Sequence, residues 1–145
     1  MKRDLGELLR THGIQPSAQR LAVAAYVLAT DAHPSAEDVL RMAKANLPMI
    51  SRATVYNTLN LFVKKGLLRE LVLAEGRCVF DCNVEAHHHF IDETTGDIHD
   101  VPWDAVKVEK VERLAGFDVK EYMVVMRGTK SHGGRSHARG SKRAR

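Results

Sequence analysis

The sequence contains little cysteine and no long apolar run. Cys78 and Cys82 are its two cysteines, too few for a disulfide framework, and their spacing is not the CxxC of a zinc knuckle or redox motif. No stretch approaches the roughly 18 apolar residues of a membrane-spanning helix. Met1 to Asp4 lead into an amphipathic segment and not into the apolar core of a signal peptide. These absences predict a cytoplasmic protein that does not enter the membrane.

Charge is distributed unevenly along the chain, although the formal net charge is only +4. Residues 1–80 carry 11 Lys and Arg against 7 Asp and Glu, residues 81–127 carry 5 against 11, and residues 128–145 carry 6 against none. The hydrophobic content of 44% is sufficient for a buried core. A basic first part and an acidic middle indicate a polyanionic partner for the former and cation binding by the latter.

The first 80 residues have the pattern of a winged helix. Four segments, at about 4–11, 16–28, 35–47 and 51–63, have apolar residues at helical spacing. Ser35-Ala36-Glu37-Asp38 resembles a capping box for the third helix, and Ser51 is placed to cap the fourth. Two short β runs, 67–73 and 77–80, follow and are joined by Ala74-Glu75-Gly76. Helices followed by a hairpin predict a winged helix-turn-helix domain over residues 1–80.

The rest of the sequence predicts a small α/β domain and a tail, so the expected fold class is α+β. Within a second domain of residues 81–127 we expect strands at 87–92, 98–101 and 117–127, and a helix from Trp103 to about Leu114. Residues 128–145 are rich in Gly, Ser and Arg and lack an apolar anchor. That composition predicts a basic, flexible tail.

Histidines and carboxylates are concentrated between residues 81 and 100. In an extended strand side chains alternate between faces, so His87 and His89 point one way and His88 the other. Imidazole nitrogen combined with carboxylate oxygen, without thiolate, suits Fe(II), Mn(II) or Zn(II) better than copper(I) or an iron-sulfur cluster. The pattern predicts a metal site, with His88 and His99 as structural or surface residues unless the cluster meets haem or a second ion.

The fourth helical segment is a candidate recognition helix. Its apolar stripe leaves Arg52, Tyr56 and Asn57 on another face. Arg52 can meet phosphate or guanine, while the other two can approach base edges and thymine methyl groups in the major groove. Gln19 and Arg20 are candidates for contacts with the DNA backbone. Taken singly, Arg52 or Asn57 could equally belong to a solvated helix face, but the hairpin that follows favours DNA binding.

Together, these motifs resemble the ferric uptake regulator (Fur) superfamily. The resemblance covers residues 5–127 and is carried by Gly13 to Arg20, Ser51 to Leu59, Val79-Phe80-Asp81 and His87-His88-His89. It implies a homodimeric, metal-activated repressor, and not an enzyme, whose N-terminal winged helix binds double-stranded operator DNA. It also implies a C-terminal α/β dimerisation domain.

The resemblance further implies a regulatory metal site. The family's ligand positions are matched here by His33, Asp81, His87, His89 and Asp100. A set drawn from both domains could fix the angle between them when one ion binds. The ion would shift the population toward that arrangement by its differential affinity, which would make it the corepressor.

The acids at positions 81 and 100 indicate a branch of the family. Iron-uptake regulators commonly have Glu at both positions, whereas the peroxide-sensing PerR branch has Asp, as this chain does. The shorter side chain changes the reach of the carboxylate and can leave iron an open position. The resemblance therefore implies Fe(II) or Mn(II) as corepressor, with Zn(II) as an alternative occupant. It also implies that peroxide oxidises His33 or His87 and so releases DNA.

The sequence departs from most of the family in its cysteines. Most relatives carry two CxxC pairs that hold structural zinc, but Asp92 and Thr95 stand at the first pair and the tail has no cysteine, which excludes a four-cysteine zinc site. The second His and acid set of iron-uptake regulators is poorly filled, since Ala86 and Lys107 fall near its places. The dimer is therefore expected to rely on strand pairing and on these apolar residues: Trp103, Val106, Val108, Val111, Phe117, Tyr122, Val124 and Val125.

Three alternatives remain open on the sequence. An Irr-like regulator that responds to iron or haem also fits the run His87-His88-His89. A mononuclear non-haem iron enzyme could use His87, His89 and a carboxylate, although it leaves the winged helix unexplained. A metal-independent DNA-binding module would give the histidines a structural role.

Overall fold

The chain divides between Ala86 and His87 into two units, each with its own internal contacts. A computed structural model describes residues 4–131. Unit 1, up to Ala86, contains helices and a hairpin, and unit 2, from His87, contains a three-stranded sheet. The expected functional boundary at residues 80 and 81 stays a prediction. The tail expected at 128–145 lies outside the described residues from position 132 onward.

Unit 1 forms the predicted helices, and each begins at a polar cap. The helices are α1 (Leu5–Thr11), α2 (Ala18–Val27), α3 (Ala36–Asn46) and α4 (Arg52–Lys64). Asp4, Ser17, Ser35 and Ser51 each accept a backbone N–H of the first turn, which satisfies donors that would otherwise lack a partner. Among the described residues, no helix combines the length and the apolar content that crossing a bilayer requires.

The core of unit 1 determines which face of α4 remains free. Val55, Leu59 and Phe62 are buried at the spacing of one helix face, where they join apolar residues of α2 and α3. Burial of each such apolar side chain contributes about 1.5–3 kcal/mol. The opposite face of α4 is therefore left to solvent.

The predicted hairpin follows α4. Strand β1 (Arg69–Val72) pairs antiparallel with β2 (Cys78–Asp81), and the connection includes Gly76 at a φ of 73°. Phe80 of β2 packs in the core, and its N–H donates to the carbonyl oxygen of Pro34 at 2.9 Å. This bond ties the last residues of β2 to the loop between α2 and α3.

Unit 2 is built around its central strand. The strands are β3 (His87–Asp92), β4 (Ile98–Pro102) and β5 (Val125–Gly128), in the order β4-β3-β5. β3 pairs antiparallel with β4 and parallel with β5. The strands predicted at 87–92 and 98–101 are confirmed, as is the α+β class.

The segment between β4 and β5 differs from the prediction. In place of the helix expected from Trp103 to Leu114, the structure has short 3-10 turns at Trp103–Ala105 and Val111–Arg113. β-branched residues such as Val106 and Val108 lose side-chain freedom in a helix, which disfavours one here. The strand expected at 117–127 is likewise wrong over most of its length. Regular strand begins at Val125, where β3 supplies a hydrogen-bonding neighbour.

Unit 2 buries little apolar surface. Among its described residues, Ile91 and Ile98 are the buried hydrophobic side chains, while Phe117 is 75% exposed and Leu114 is 50% exposed. An apolar surface of this kind marks a site of association more often than a monomer's ordinary exterior.

The capping box of α3 yields a prediction about stability. Asp38 accepts the Ser35 N–H at 3.0 Å, and the Ser35 hydroxyl oxygen accepts the Asp38 N–H at 3.2 Å. The bond from the Ser35 backbone, helped by its hydroxyl and by Arg41, holds the pKa of Asp38 below its usual value of 3.8. The charged cap therefore stabilises the fold above the unfolded-state pKa, and this contribution is lost as pH falls through the lower folded-state pKa. We expect Asp38→Asn to reduce the unfolding free energy by about 1 kcal/mol near pH 7, and by less below about pH 4.

Urea unfolding of the metal-free protein, followed by circular dichroism, measures the loss of unfolding free energy near pH 7 and below about pH 4. Asp31→Asn is the control, because Asp31 is exposed and precedes the same helix. A loss that is equal in the two variants, or that does not change with pH, would contradict the prediction.

Candidate metal centre and nucleic-acid interface

Two imidazoles converge on one face of β3. The Nε2 atoms of His87 and His89 lie 2.9 Å apart, and their residues are only 4% and 3% exposed. His88, between them, is directed to the other face and contacts Trp103. The alternation expected from the sequence is confirmed.

A carboxylate completes this group in unit 2. The register of β3 and β4 places Asp100 opposite His89. Its Oδ1 lies 3.3 Å from the Nε2 of His87 and 3.7 Å from the Nε2 of His89, and its side chain is 37% exposed. The 3-10 turn that begins at Trp103 has no side-chain cap, so the nearby Asp100 does not serve as a helix cap.

Unit 1 carries a second buried pair of the same chemistry. His33 Nε2 lies 3.3 Å from Asp81 Oδ2, and both residues are 5% exposed. The Oδ1 of Asp81 accepts the N–H of Asn83 at 2.9 Å, which orients the carboxylate. The bond from Phe80 to Pro34 holds the loop of His33 against the strand of Asp81.

The backbone of His33 is unusual. Its φ of 52° lies in the left-handed region, which costs a residue other than glycine energy, and the following Pro34 favours an extended conformation instead. Such backbone strain is concentrated at functional sites and persists where surrounding contacts impose it. Here the attachment of Pro34 to β2 supplies such a contact.

Both groups fit a divalent cation. Two neutral imidazoles whose Nε2 atoms are 2.9 Å apart can share one proton between them, whereas a cation accepts the lone pairs of both. The candidate ligand atoms of His87, His89 and Asp100 lie within 4.8 Å of one another, close enough for one ion with metal–nitrogen bonds of about 2.0–2.1 Å. Nitrogen and oxygen donors without sulfur suit Fe(II), Mn(II) or Zn(II).

His88 has a structural position. Its Nδ1 accepts the N–H of Val124 at 3.0 Å, so its Nε2, 3.2 Å from the carbonyl oxygen of Trp103, carries the proton and donates. The ring is fully buried and stacks on the indole of Trp103 at 4.5 Å. The sequence predicted that His88 faces away from the pair, but not that it fastens two distant segments to β3. The ring centroid of His99, the other histidine expected to be structural or at the surface, lies 6.4 Å from that of Phe90.

The predicted DNA-contacting residues lie on the free surface of unit 1 in two groups. Gln19, Arg20 and Asn57 line one cleft between α2 and α4, and the Nη1 of Arg20 donates to the carbonyl oxygen of Gln15 at 2.8 Å. Arg52 and Tyr56, one turn apart on α4, both contact Glu37 of α3. The sequence did not indicate Glu37, because its distance from Arg52 along the chain hides the contact.

Comparisons of the sequence and of the structure with known proteins identify relatives in the same family. The model of the ferric uptake regulator family matches residues 11–127. The peroxide-responsive repressor PerR of Staphylococcus aureus (strain Mu50 / ATCC 700699) is 33% identical over 124 residues, which cover 83% of this chain and 82% of that protein. A solved zinc-bound manganese uptake regulator has a TM-score of 0.66 at 25% identity, covering 89% of this chain and 100% of that one. The Campylobacter jejuni peroxide stress regulator has a TM-score of 0.65 at 26% identity, covering 88% and 94% respectively.

The two bonds of His88 lead to a prediction about unit 2. His88→Ala removes the partners of the Val124 N–H and the Trp103 carbonyl and opens a cavity beside the indole. We expect a loss of at least about 2 kcal/mol in unfolding free energy. Denaturant unfolding of the metal-free protein at fixed concentration, followed by the emission of the single tryptophan, measures it.

Lys107→Ala is the matched control, since its side chain is 85% exposed and belongs to the same unit. If His88→Ala unfolds at the same denaturant concentration as this control, His88 does not fasten the two segments.

Proposed function

Because the chain belongs to the ferric uptake regulator family, we propose that it is a metal-dependent repressor that binds operator DNA and senses peroxide. Members of this family are transcriptional regulators and not enzymes, so the chain is a regulator and the non-haem iron enzyme is set aside. The observation that supports metal dependence is that each unit presents its own group of histidine and aspartate, in which every member except Asp100 is buried.

One ion shared by the two groups would couple metal to DNA. His33 and Asp81 would supply two ligands, and His87, His89 and Asp100 would supply three. Neither group alone offers a divalent ion a full coordination shell, so the ion favours the arrangement in which both contribute. Binding then shifts the population toward that arrangement by the difference in affinity. Fe(II) or Mn(II) would act as corepressor, and Zn(II) could occupy the same ligands.

The free face of α4 would read the DNA. Arg52, Tyr56 and Asn57 are exposed there, and their donors and acceptors match base edges and phosphates in the major groove. Gln19 and Arg20 border the same helix and would contact the backbone. Operator binding would locate the protein in the cytoplasm.

The proposed active form is a homodimer. Unit 2 leaves Leu114, Phe117 and Met123 at least 40% exposed, and its sheet ends in two edge strands, β4 and β5. Pairing with a second copy would cover this apolar surface without a four-cysteine zinc site, which two cysteines cannot form. Two copies would also present two reading helices to one operator.

Peroxide sensing would act through the ligands themselves. In the net reaction hydrogen peroxide transfers one oxygen atom to a ring carbon of His33 or His87, which is oxidised by two electrons, and the peroxide is reduced to water. When bound, Fe(II) would supply the one-electron chemistry that this reaction needs. An oxidised imidazole would bind metal poorly, so the protein would lose the ion and release DNA.

The haem-responsive alternative has less support. Both ring nitrogens of His88 are engaged by backbone groups, and the ring is fully buried. The middle histidine of the run is therefore not available as an axial haem ligand in this conformation.

Removal of single ligands tests the metal dependence. With a duplex selected from a random pool by the Mn(II)-loaded protein, we expect Mn(II) to strengthen binding by about 5- to 150-fold. His33→Ala and His87→Ala should lose most of this gain. Gel-shift titrations with Mn(II) and with chelator measure it, and Asp104→Ala, an exposed acid of unit 2, is the control. Equal DNA affinity with and without metal in the wild type would refute metal activation.

Mass spectrometry tests the peroxide response. After treatment of the Fe(II)-loaded protein, peptides that contain His33 or His87 should gain one oxygen atom, and affinity for the selected duplex should fall in parallel. The Mn(II)-loaded protein, treated identically, should show neither change. DNA release without any oxidised histidine would contradict the proposal that histidine oxidation causes the release.

A further inference from the structure

An acidic side chain contacts two of the hydrogen-bond donors on the proposed reading face. Glu37, the second residue of α3, contacts the guanidinium of Arg52 and accepts the hydroxyl hydrogen of Tyr56 at 3.2 Å. Arg52 is the first residue of α4, and Tyr56 follows one turn later. A single carboxylate therefore engages both donors in the protein as it stands without DNA.

The electrostatics of α4 explain why a carboxylate is favourable at this point. The N-terminus of a helix carries partial positive charge, so a cation in the first turn is unfavourable. The first turn of α4 has no acidic residue of its own, yet it begins with Arg52. The compensating charge comes from a neighbouring helix, and it lies where a DNA phosphate would otherwise be attracted.

We propose that Glu37 is a specificity-determining residue that weakens binding to nonspecific DNA more than binding to the operator. The proposal rests on the function proposed above. On any duplex, Arg52 must exchange Glu37 for a DNA group, and the carboxylate is then left close to the phosphates. A nonspecific duplex offers a phosphate contact that only replaces the lost ion pair. An operator that presents guanine to Arg52 offers a bidentate contact, which outweighs the exchange.

The ion pair of Arg52 and Glu37 is exposed, so a DNA group can replace Glu37 as the partner of Arg52. The side chains of Arg52 and Glu37 are 63% and 53% exposed, so neither must be uncovered before DNA can compete. Exposed ion pairs contribute little to folding stability. Substitution of Glu37 should therefore alter DNA binding while the fold remains intact.

The test compares wild type with Glu37→Gln, which keeps the shape and removes the charge. Mn(II)-loaded full-length protein is titrated against two probes, a duplex selected by the wild type from a random pool and poly(dA-dT) duplex, which lacks the O6 and N7 acceptor pair of guanine. We expect the affinity for poly(dA-dT) to rise by about 3- to 10-fold, and the ratio of selected to nonspecific affinity to fall by a similar factor. The salt dependence of nonspecific binding should become steeper by about one counterion.

Two controls identify the cause. Glu7→Gln removes another exposed carboxylate, which pairs with Arg10 of α1, and it should change neither affinity. In an Arg52→Gln background, the effect of Glu37→Gln on nonspecific affinity should largely disappear, because the two groups act as a coupled pair.

Three outcomes overturn the proposal. The ratio of selected to nonspecific affinity could stay unchanged in Glu37→Gln. Alternatively, only the affinity for the selected duplex could fall, which would mean that Glu37 assists base recognition. The rise could also persist in the Arg52→Gln background. If the Mn(II)-loaded wild type binds neither probe, the proposed function itself fails, and that result is distinct from the other three.

Discussion

The alternation of side chains along β3 is the constraint on which unit 2 depends. A period of two residues sends His87 and His89 to one face and His88 to the other, so adjacent positions serve different purposes. The first face brings together the imidazoles of the candidate metal centre, and the second fastens the backbone at Trp103 and Val124. A shift of one residue in register would exchange the two sets and destroy both.

Unit 1 obeys a comparable constraint, with a helical period in place of the strand period. The buried stripe of α4 leaves its polar residues on the free face, and side chains of neighbouring elements contact that face. Glu37 neutralises the start of the helix, while the loop of His33 is held in a left-handed backbone conformation beside Asp81. Core packing thus fixes the positions of the helices, and a few polar contacts determine which charged groups the surface exposes to a ligand.

The sequence was a good guide wherever neighbouring residues decide the structure. The caps at Ser35 and Ser51, the hairpin after α4 and the alternation in β3 were all predicted, since each depends on residues within one turn or one strand. The segment between β4 and β5 was predicted wrongly. Its valines and charges satisfy a helical pattern loosely, but β-branched residues disfavour the helix, and a strand forms only where β3 offers hydrogen bonds.

The sequence by itself determined the periodicity of most elements, the residue types of the candidate metal and DNA contacts, and the absence of a four-cysteine zinc site. The tertiary structure alone decided which distant residues meet: His33 with Asp81, Glu37 with Arg52, and His88 with Val124. The physical reason is the range of the interactions. Caps and side-chain periods act over a few residues, whereas these pairs form only after the core and the strand register have fixed the path of the chain.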